Sequence, residues 1–216
     1  MLQKGEPTPQ LQQWFDRLAL VVEEARGALR SLKPSKLMLR SGCERDEDGN
    51  FRLVFFWREY TISADDFIVR RTDTGEEPPS FVQSLILTYL VTADGTTPSS
   101  RWIGFRELPD GMFYVQAFQG YTGGRLVREL RGGIEAFRRA AEALGGESLE
   151  LGDAGYAFTV LPRVRLAVVY WEGDEEDGFP PQARVLFEDS TAHYMPTDGL
   201  AILGSQLVGR LLKAQV

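Results

Sequence analysis

Cysteine is nearly absent from this chain: Cys43 stands alone among 216 residues. A lone thiol forms no internal disulfide. It also excludes a zinc ribbon or a cysteine-ligated iron–sulfur cluster within the chain. Histidine is as scarce, with only His193, whereas a histidine-based catalytic zinc site usually takes several. No apolar run approaches the roughly 18 residues that a membrane-spanning helix needs. The opening MLQKGEPTPQ has no apolar core of a secretion signal, so cytoplasmic residence is the expectation. Basic residues are in the minority, 24 against 31 acidic, giving a net charge of −7. Such a surface repels phosphate backbones, which disfavours nucleic-acid binding. Three sequence signatures are missing as well: the phosphate-cradling G-x-x-x-x-G-K-[ST], the dinucleotide-binding G-x-G-x-x-G after a strand, and the nucleophile elbow G-x-S-x-G. Ser190 lies near His193, but nothing marks it as an activated hydroxyl.

What is present is an ordinary globular composition, 43% apolar and 25% charged. A chain of this length buries enough surface to fold without disulfide or metal. The sequence is organised around Arg165–Asp189, RLAVVYWEGDEEDGFPPQARVLFED. Two apolar, aromatic-rich runs flank an acidic turn and a Gly-Phe-Pro-Pro punctuation, which predicts two strands joined by a charged loop. Upstream, Leu11, Trp14, Phe15, Leu18, Val22, Ala25, Leu29 and Leu32 recur at helical spacing. They predict an amphipathic helix over 9–33, capped by Thr8 and stopped by Pro34. Phe51–Trp57 and Glu59–Ser63 read as paired strands after the Asp48-Gly49 turn. That turn fails as a calcium loop, since counting from Asp46 puts Phe51 and Trp57 where a glycine and a carboxylate are required. The polar stretch Arg70–Ser80, with Pro78-Pro79, reads as a loop. Phe81–Val91 is apolar on nearly every side, which predicts a buried helix. Gly124–Leu144 reads as one helix broken at Gly132-Gly133, or as two short ones, with five arginines: Arg125, Arg128, Arg131, Arg138 and Arg139. They form either a solvated face or a patch for a phosphate or an acidic partner. A final helix begins at Thr197, read as its N-cap, with Leu200, Leu203, Leu207 and Leu211 facing inward.

Three features carry candidate chemistry. Arg101–Tyr121 holds six aromatics around a Pro-Asp-Gly turn and predicts either core packing or an aromatic-walled pocket with Arg106 and Glu107 at its mouth. The ligand-binding set is Trp102, Phe105, Arg106, Glu107, Tyr114, Trp171 and His193, with His193 a candidate axial ligand to a tetrapyrrole metal. The acidic turn offers Asp174, Glu175 and Glu176 to a divalent cation, because carboxylate oxygens suit Mg²⁺ and Ca²⁺. The alternative for that turn is a solvated hairpin tip. No residue is assigned a catalytic role, and Cys43, set among charged residues, reads as an exposed thiol.

TYLVTADG (Thr88–Gly95), WIGFRELPDGMFYVQAF (Trp102–Phe118), LGG (Leu144–Gly146), LPRVRLAVVYWEGDEEDGFPPQARVLFED (Leu161–Asp189) and the terminal HYMPTDGLAILG together resemble a prokaryotic family of unknown function, number 3786. The resemblance spans roughly Phe51–Leu212 and implies no settled activity. Some members resemble fusions to an N-terminal four-cysteine iron–sulfur domain of the kind seen in corrinoid and one-carbon proteins. That implies an association with corrinoid or redox metabolism. This chain departs from the pattern: it lacks those cysteines, begins with a helix, and lengthens the acidic loop with Asp177-Gly178.

The expected fold is α+β, a single domain with an N-terminal amphipathic helix. Strands at 51–57, 59–63, 155–161, 164–171 and 183–188 form a mainly antiparallel sheet covered by helices. The expected layout is an N-terminal helix over 1–36, docked on or extending an α+β domain over 37–216. The first functional expectation is a soluble, non-catalytic accessory protein that binds a small molecule or cofactor, a tetrapyrrole among the candidates. The second is an interaction or scaffold module working through the N-terminal helix, with homo-oligomerisation open. The third is a carboxylate-based or divalent-cation-dependent enzyme using Glu107 with the acidic turn. Neither nucleic acid nor membrane is an expected partner, and the cofactor is unknown.

Overall fold

The computed structural model describes residues 9–174 and 178–215, with side chains from Arg17 onward. The chain forms two compact units that divide between Gly95 and Thr96. Each combines helices with an antiparallel sheet, so the α+β class holds.

The first unit opens with α1 (Pro9–Arg30) and α2 (Pro34–Ser41). A four-stranded sheet follows in sequential order: β1 (Glu44–Arg45), β2 (Phe51–Phe55), β3 (Arg58–Ile62) and β4 (Val69–Arg71). The unit closes with α3 (Ser80–Thr92). The apolar stripe of α1 behaves as its spacing predicts, with Val22, Ala25 and Leu29 buried and α1 running along α3. The Thr8 cap and the side chains of Leu11, Trp14 and Phe15 lie outside what is described. Pro34 is not a stop signal. It occupies the first position of α2, where its missing N–H has no intrahelical partner to lose. The near-uniform apolarity of α3 is matched by burial of Leu85, Ile86, Leu87, Tyr89 and Leu90, and the Tyr89 hydroxyl donates to the Ser41 carbonyl. The stretch read as a loop after residue 69 contributes β4, too short at three residues to show a period of two.

Cys43 is buried, not exposed: only 4% of its surface meets solvent. Its charged sequence neighbours point outward while its own side chain turns in. Burial pushes its thiol pKa up, partly offset by a hydrogen bond with Ser41. Native protein is therefore expected to react with Ellman's reagent only over hours, and at once in denaturant. Immediate stoichiometric labelling of native protein would contradict this placement.

In the second unit a five-stranded antiparallel sheet has the order β5-β9-β8-β7-β6. The strands are β5 (Trp102–Gly104), β6 (Glu147–Leu149), β7 (Ala154–Leu161), β8 (Val164–Trp171) and β9 (Gln182–Glu188). The helices are α4 (Val115–Tyr121), α5 (Gly123–Glu129), α6 (Gly133–Ala143) and α7 (Thr197–Ala214). The break between α5 and α6 falls at the glycine pair, as read. Helix α5 lies on β9 and α6 on β7 and β8, with α7 packed against both helices. Phe137 of α6 meets the rings of Tyr156 and Tyr170 at 5.7 and 5.6 Å, which marks the sheet face that α6 covers. Thr197 does not cap α7. It is the first helical residue, and its hydroxyl donates to the Pro109 carbonyl at 2.7 Å.

The expected strands are present, but they divide between two sheets. Each hairpin is specified locally, by the two residues between β2 and β3 and the two between β7 and β8. Local pattern carries nothing about which hairpins share a sheet.

One buried charge organises the start of the second unit. Glu188 is 1% exposed. One carboxylate oxygen accepts the backbone N–H groups of Ser99 and Ser100 at 2.7 and 3.1 Å; the other accepts the N–H of Ser190 at 3.1 Å and also its hydroxyl. Beside it, hydrogen bonds from Ser99 and Arg101 hold the Asp189 carboxyl below its ordinary value.

Candidate functional site

The recess begins where β5 ends. Strand β9 alternates, with Ala183, Val185 and Phe187 buried toward the helices and Gln182 and Arg184 exposed. Strand β5 pairs with β9 from Trp102↔Glu188 as far as Gly104↔Leu186, where the chain enters a 3-10 turn over Phe105–Glu107. Glu107 fixes that turn by accepting the Gly104 N–H at 2.7 Å. A left-handed residue, Asp110 (φ 58°), then reverses the chain before α4, in agreement with the Pro-Asp-Gly reading.

Beyond Gly104, the rest of the β9 edge is met by α4 and α5. Gln119 donates its side-chain amide to the Ala183 carbonyl at 2.8 Å. Gly123 presses against the same carbonyl so closely that a Cβ there would sit 1.9 Å from the oxygen. The diverging chains leave a recess of about 710 Å³. Phe105 and Phe118 form its floor, stacked with centroids 4.1 Å apart, with Phe187 behind them at 6.1 and 5.7 Å. Trp102 forms a wall, with Val115, Val185 and Leu186 completing the apolar lining. Arg106, Glu107, Gln119, Gln182 and Arg184 supply its polar groups.

A smaller hollow of about 270 Å³, lined by Trp171, Gly173, Phe179 and Pro180, shares Gln182 and Arg184 with the recess. Trp102 stands opposite Glu188 and Trp171 opposite Gln182, so both project from the same sheet face, one on each side of β9. Each carries a guanidinium over its ring: Arg165 on Trp102 at 5.7 Å and Arg184 on Trp171 at 5.8 Å.

Of the sequence candidates, Trp102, Phe105, Arg106 and Glu107 line the recess, and Trp171 lines the adjoining hollow. Tyr114 is exposed, at the start of α4, and lines neither. His193 is exposed, ending a 3-10 turn over Asp189–His193, and also lines neither. Asp174 exchanges backbone hydrogen bonds with Phe179 at the mouth of the acidic loop, while Glu175 and Glu176 lie outside the described residues. Among the described residues, no group of three or more His, Cys, Asp or Glu could hold a metal ion. Sequence reading missed Gln119, Gln182 and Arg184. The available signal was the alternation in QARVLFE, which places Gln182 and Arg184 on the face opposite Val185 and Phe187.

No helix among the described residues is long and apolar enough to cross a membrane. No curated protein and no solved structure matches the chain. The model of a domain of unknown function, DUF3786, matches residues 33–210, so the segments quoted for that resemblance sit within a match that takes in both units, and the chain belongs to this family.

Proposed function

We propose that this is a non-catalytic binding protein whose recess takes a small, mostly apolar molecule bearing one acidic group. The observation that carries this reading is the recess itself. Its volume of about 710 Å³ falls in the range of small-molecule sites, roughly 300–1,000 Å³, and it joins an apolar floor to a few convergent polar groups. Its cations are Arg106 and Arg184; its one carboxylate, on Glu107, is already engaged by the Gly104 N–H. That balance favours an anionic ligand group. A tetrapyrrole held by His193 gains no support, since that imidazole does not line the recess.

The test uses anilinonaphthalene sulfonate, which pairs an aromatic body with a sulfonate. Saturable one-to-one binding to native protein is expected, weakened about tenfold or more by Trp102→Ala and by Arg184→Ala, which corresponds to about 1.4 kcal/mol each. Unchanged affinity in both variants would remove the recess as the site. Native mass spectrometry of protein purified from its own source would reveal a retained ligand. Absorption spectra with added haem or cobalamin test the tetrapyrrole class directly.

A further inference from the structure

The second unit has another concavity, larger than the recess and opposite in character. It measures about 1020 Å³ and lies between α5, the turn into α6 and the C-terminal half of α7. Four cations line it, Arg125, Arg131, Arg210 and Lys213, against one carboxylate, Glu129. Glu129 is matched to Arg125, whose Nε lies 3.1 Å from both carboxylate oxygens. The rest of the lining leaves an excess of positive charge on a chain whose net charge is −7.

Helix stability explains only part of this clustering. Cations are favoured near helix C-termini, which accounts for Lys213 in the last turn of α7 and Arg131 just past α5. It does not account for Arg125, which sits in the first turn of α5, where the dipole disfavours positive charge. Its guanidinium lies close to α7: a Cβ added at Gly209 would stand 4.0 Å from Arg125 Nη1, an ordinary contact distance. Arg210 is braced along α7 by donating to the side-chain oxygen of Gln206 at 2.6 Å and to its carbonyl at 3.1 Å. The Arg131 N–H donates to Gln215 at 2.8 Å, tying the turn after α5 to the end of α7. Of the five arginines in the 125–139 stretch, the fold thus selects two and adds two cations from α7. The others are placed elsewhere: Arg128 donates to the Gly120 carbonyl, Arg138 to that of Asp153, and Arg139 is exposed on α6.

We infer that this groove binds a small polyanion carrying two or more phosphate or carboxylate groups. Screening limits the repulsion from the acidic remainder of the chain to about 10 Å at 0.1 M salt, so an anion inside the groove answers chiefly to the groove's own charges, four cations against one carboxylate. The ligand needs more than one anionic group, because the cations come from α5, from the turn that follows it and from α7, and a single oxyanion would satisfy only part of them.

The test is calorimetric titration of the whole chain with tripolyphosphate and, separately, with citrate. One-to-one binding that weakens with added salt is expected for at least one of them. The tighter of the two identifies the source as phosphate or carboxylate. The double variant Arg131→Glu/Lys213→Glu changes two exposed side chains and is expected to weaken binding at least tenfold with the melting temperature preserved. If charge reversal disturbs folding, Arg131→Gln/Lys213→Gln gives the same readout with a smaller change. Arg139→Glu on α6 and Trp102→Ala in the recess should leave the affinity unchanged, which separates this groove from the proposed ligand recess. The inference is overturned if neither polyanion saturates at millimolar concentration. It is also overturned if Arg139→Glu weakens binding as much as the groove variants, since the attraction would then be diffuse.

Discussion

Glu188→Ala is expected to lower the melting temperature of the second unit by about 10 °C. The carboxylate lies almost wholly out of water and receives four donors, three of them backbone N–H groups. Alanine removes the acceptor and leaves the donors in place. Orphaned polar groups cost about 1–3 kcal/mol each where water cannot reach them. Ser99 and Ser100 are themselves exposed and regain part of their loss from solvent, whereas Ser190 is buried and does not. A total of roughly 3 kcal/mol follows, and at about 2–4 °C per kcal/mol for a chain of this size it gives the stated shift. Ser100 adds a further cost, because its φ of 64° is a conformation that non-glycine residues rarely adopt and the Glu188 bond helps hold it. Glu188→Gln keeps one acceptor oxygen but turns an NH₂ toward the other donors, so about half the loss is expected. Calorimetric melts of both variants check the ordering. If the alanine variant melts with wild type, the carboxylate is not the anchor described.

Gly123→Ala is expected to be comparably damaging, and to act on the recess as well as on stability. The obstruction is backbone: the added Cβ would fall 1.9 Å from the Ala183 oxygen and 2.7 Å from its carbonyl carbon. Neither atom can swing aside as a long side chain would, so α5 must move off β9 or the strand must bend. Such overpacking costs about 1–3 kcal/mol. The displacement also strains the Gln119 bond to that carbonyl and shifts Phe118, which is part of the recess floor. Melting temperature and anilinonaphthalene sulfonate affinity are therefore expected to fall together. Gly120→Ala in α4, where a Cβ meets nothing within 4 Å, is the matched control: it should leave the affinity unchanged and, because alanine suits a helix better than glycine, not lower the melting temperature. Normal affinity in the Gly123 variant would show that the packing of α5 on β9 does not shape the recess.

The parts of the fold that could be read from the sequence were those with several turns or several alternations behind them. Helix α3 is apolar on nearly every side and is buried over most of its length, with Val91 exposed near its end. Strands β7 and β8 run eight residues each around a two-residue turn. Strands β1, β4, β5 and β6 were missed because each is short, and pairing with a neighbouring strand rather than local period makes them regular; helix α2 was missed because its opening proline also reads as a stop. Pro34 misled because proline suits the first position of a helix as well as it ends one. Cys43 misled because charged sequence neighbours say nothing about which way one side chain points.

The candidate recess was legible in the same partial way. The aromatic density of 102–118 marked one wall and the floor. The edge of β9, which supplies Gln182, Arg184 and Val185, comes from about 80 residues further along the chain, and only the sheet order brings it alongside. His193 was attractive for its chemical type alone, and type does not fix position.

The sheet of the second unit ends, on each side, in a strand of only three residues. On the β9 side the length that β5 leaves unpaired is met by Gln119 and Gly123 rather than by another strand. A long, flat rim of unpaired backbone is what lets sheets of separate molecules join edge to edge and grow into fibres. Here such growth has little template, so a pairing-prone run such as RLAVVYW can sit at the centre of the sheet without recruiting its own copies.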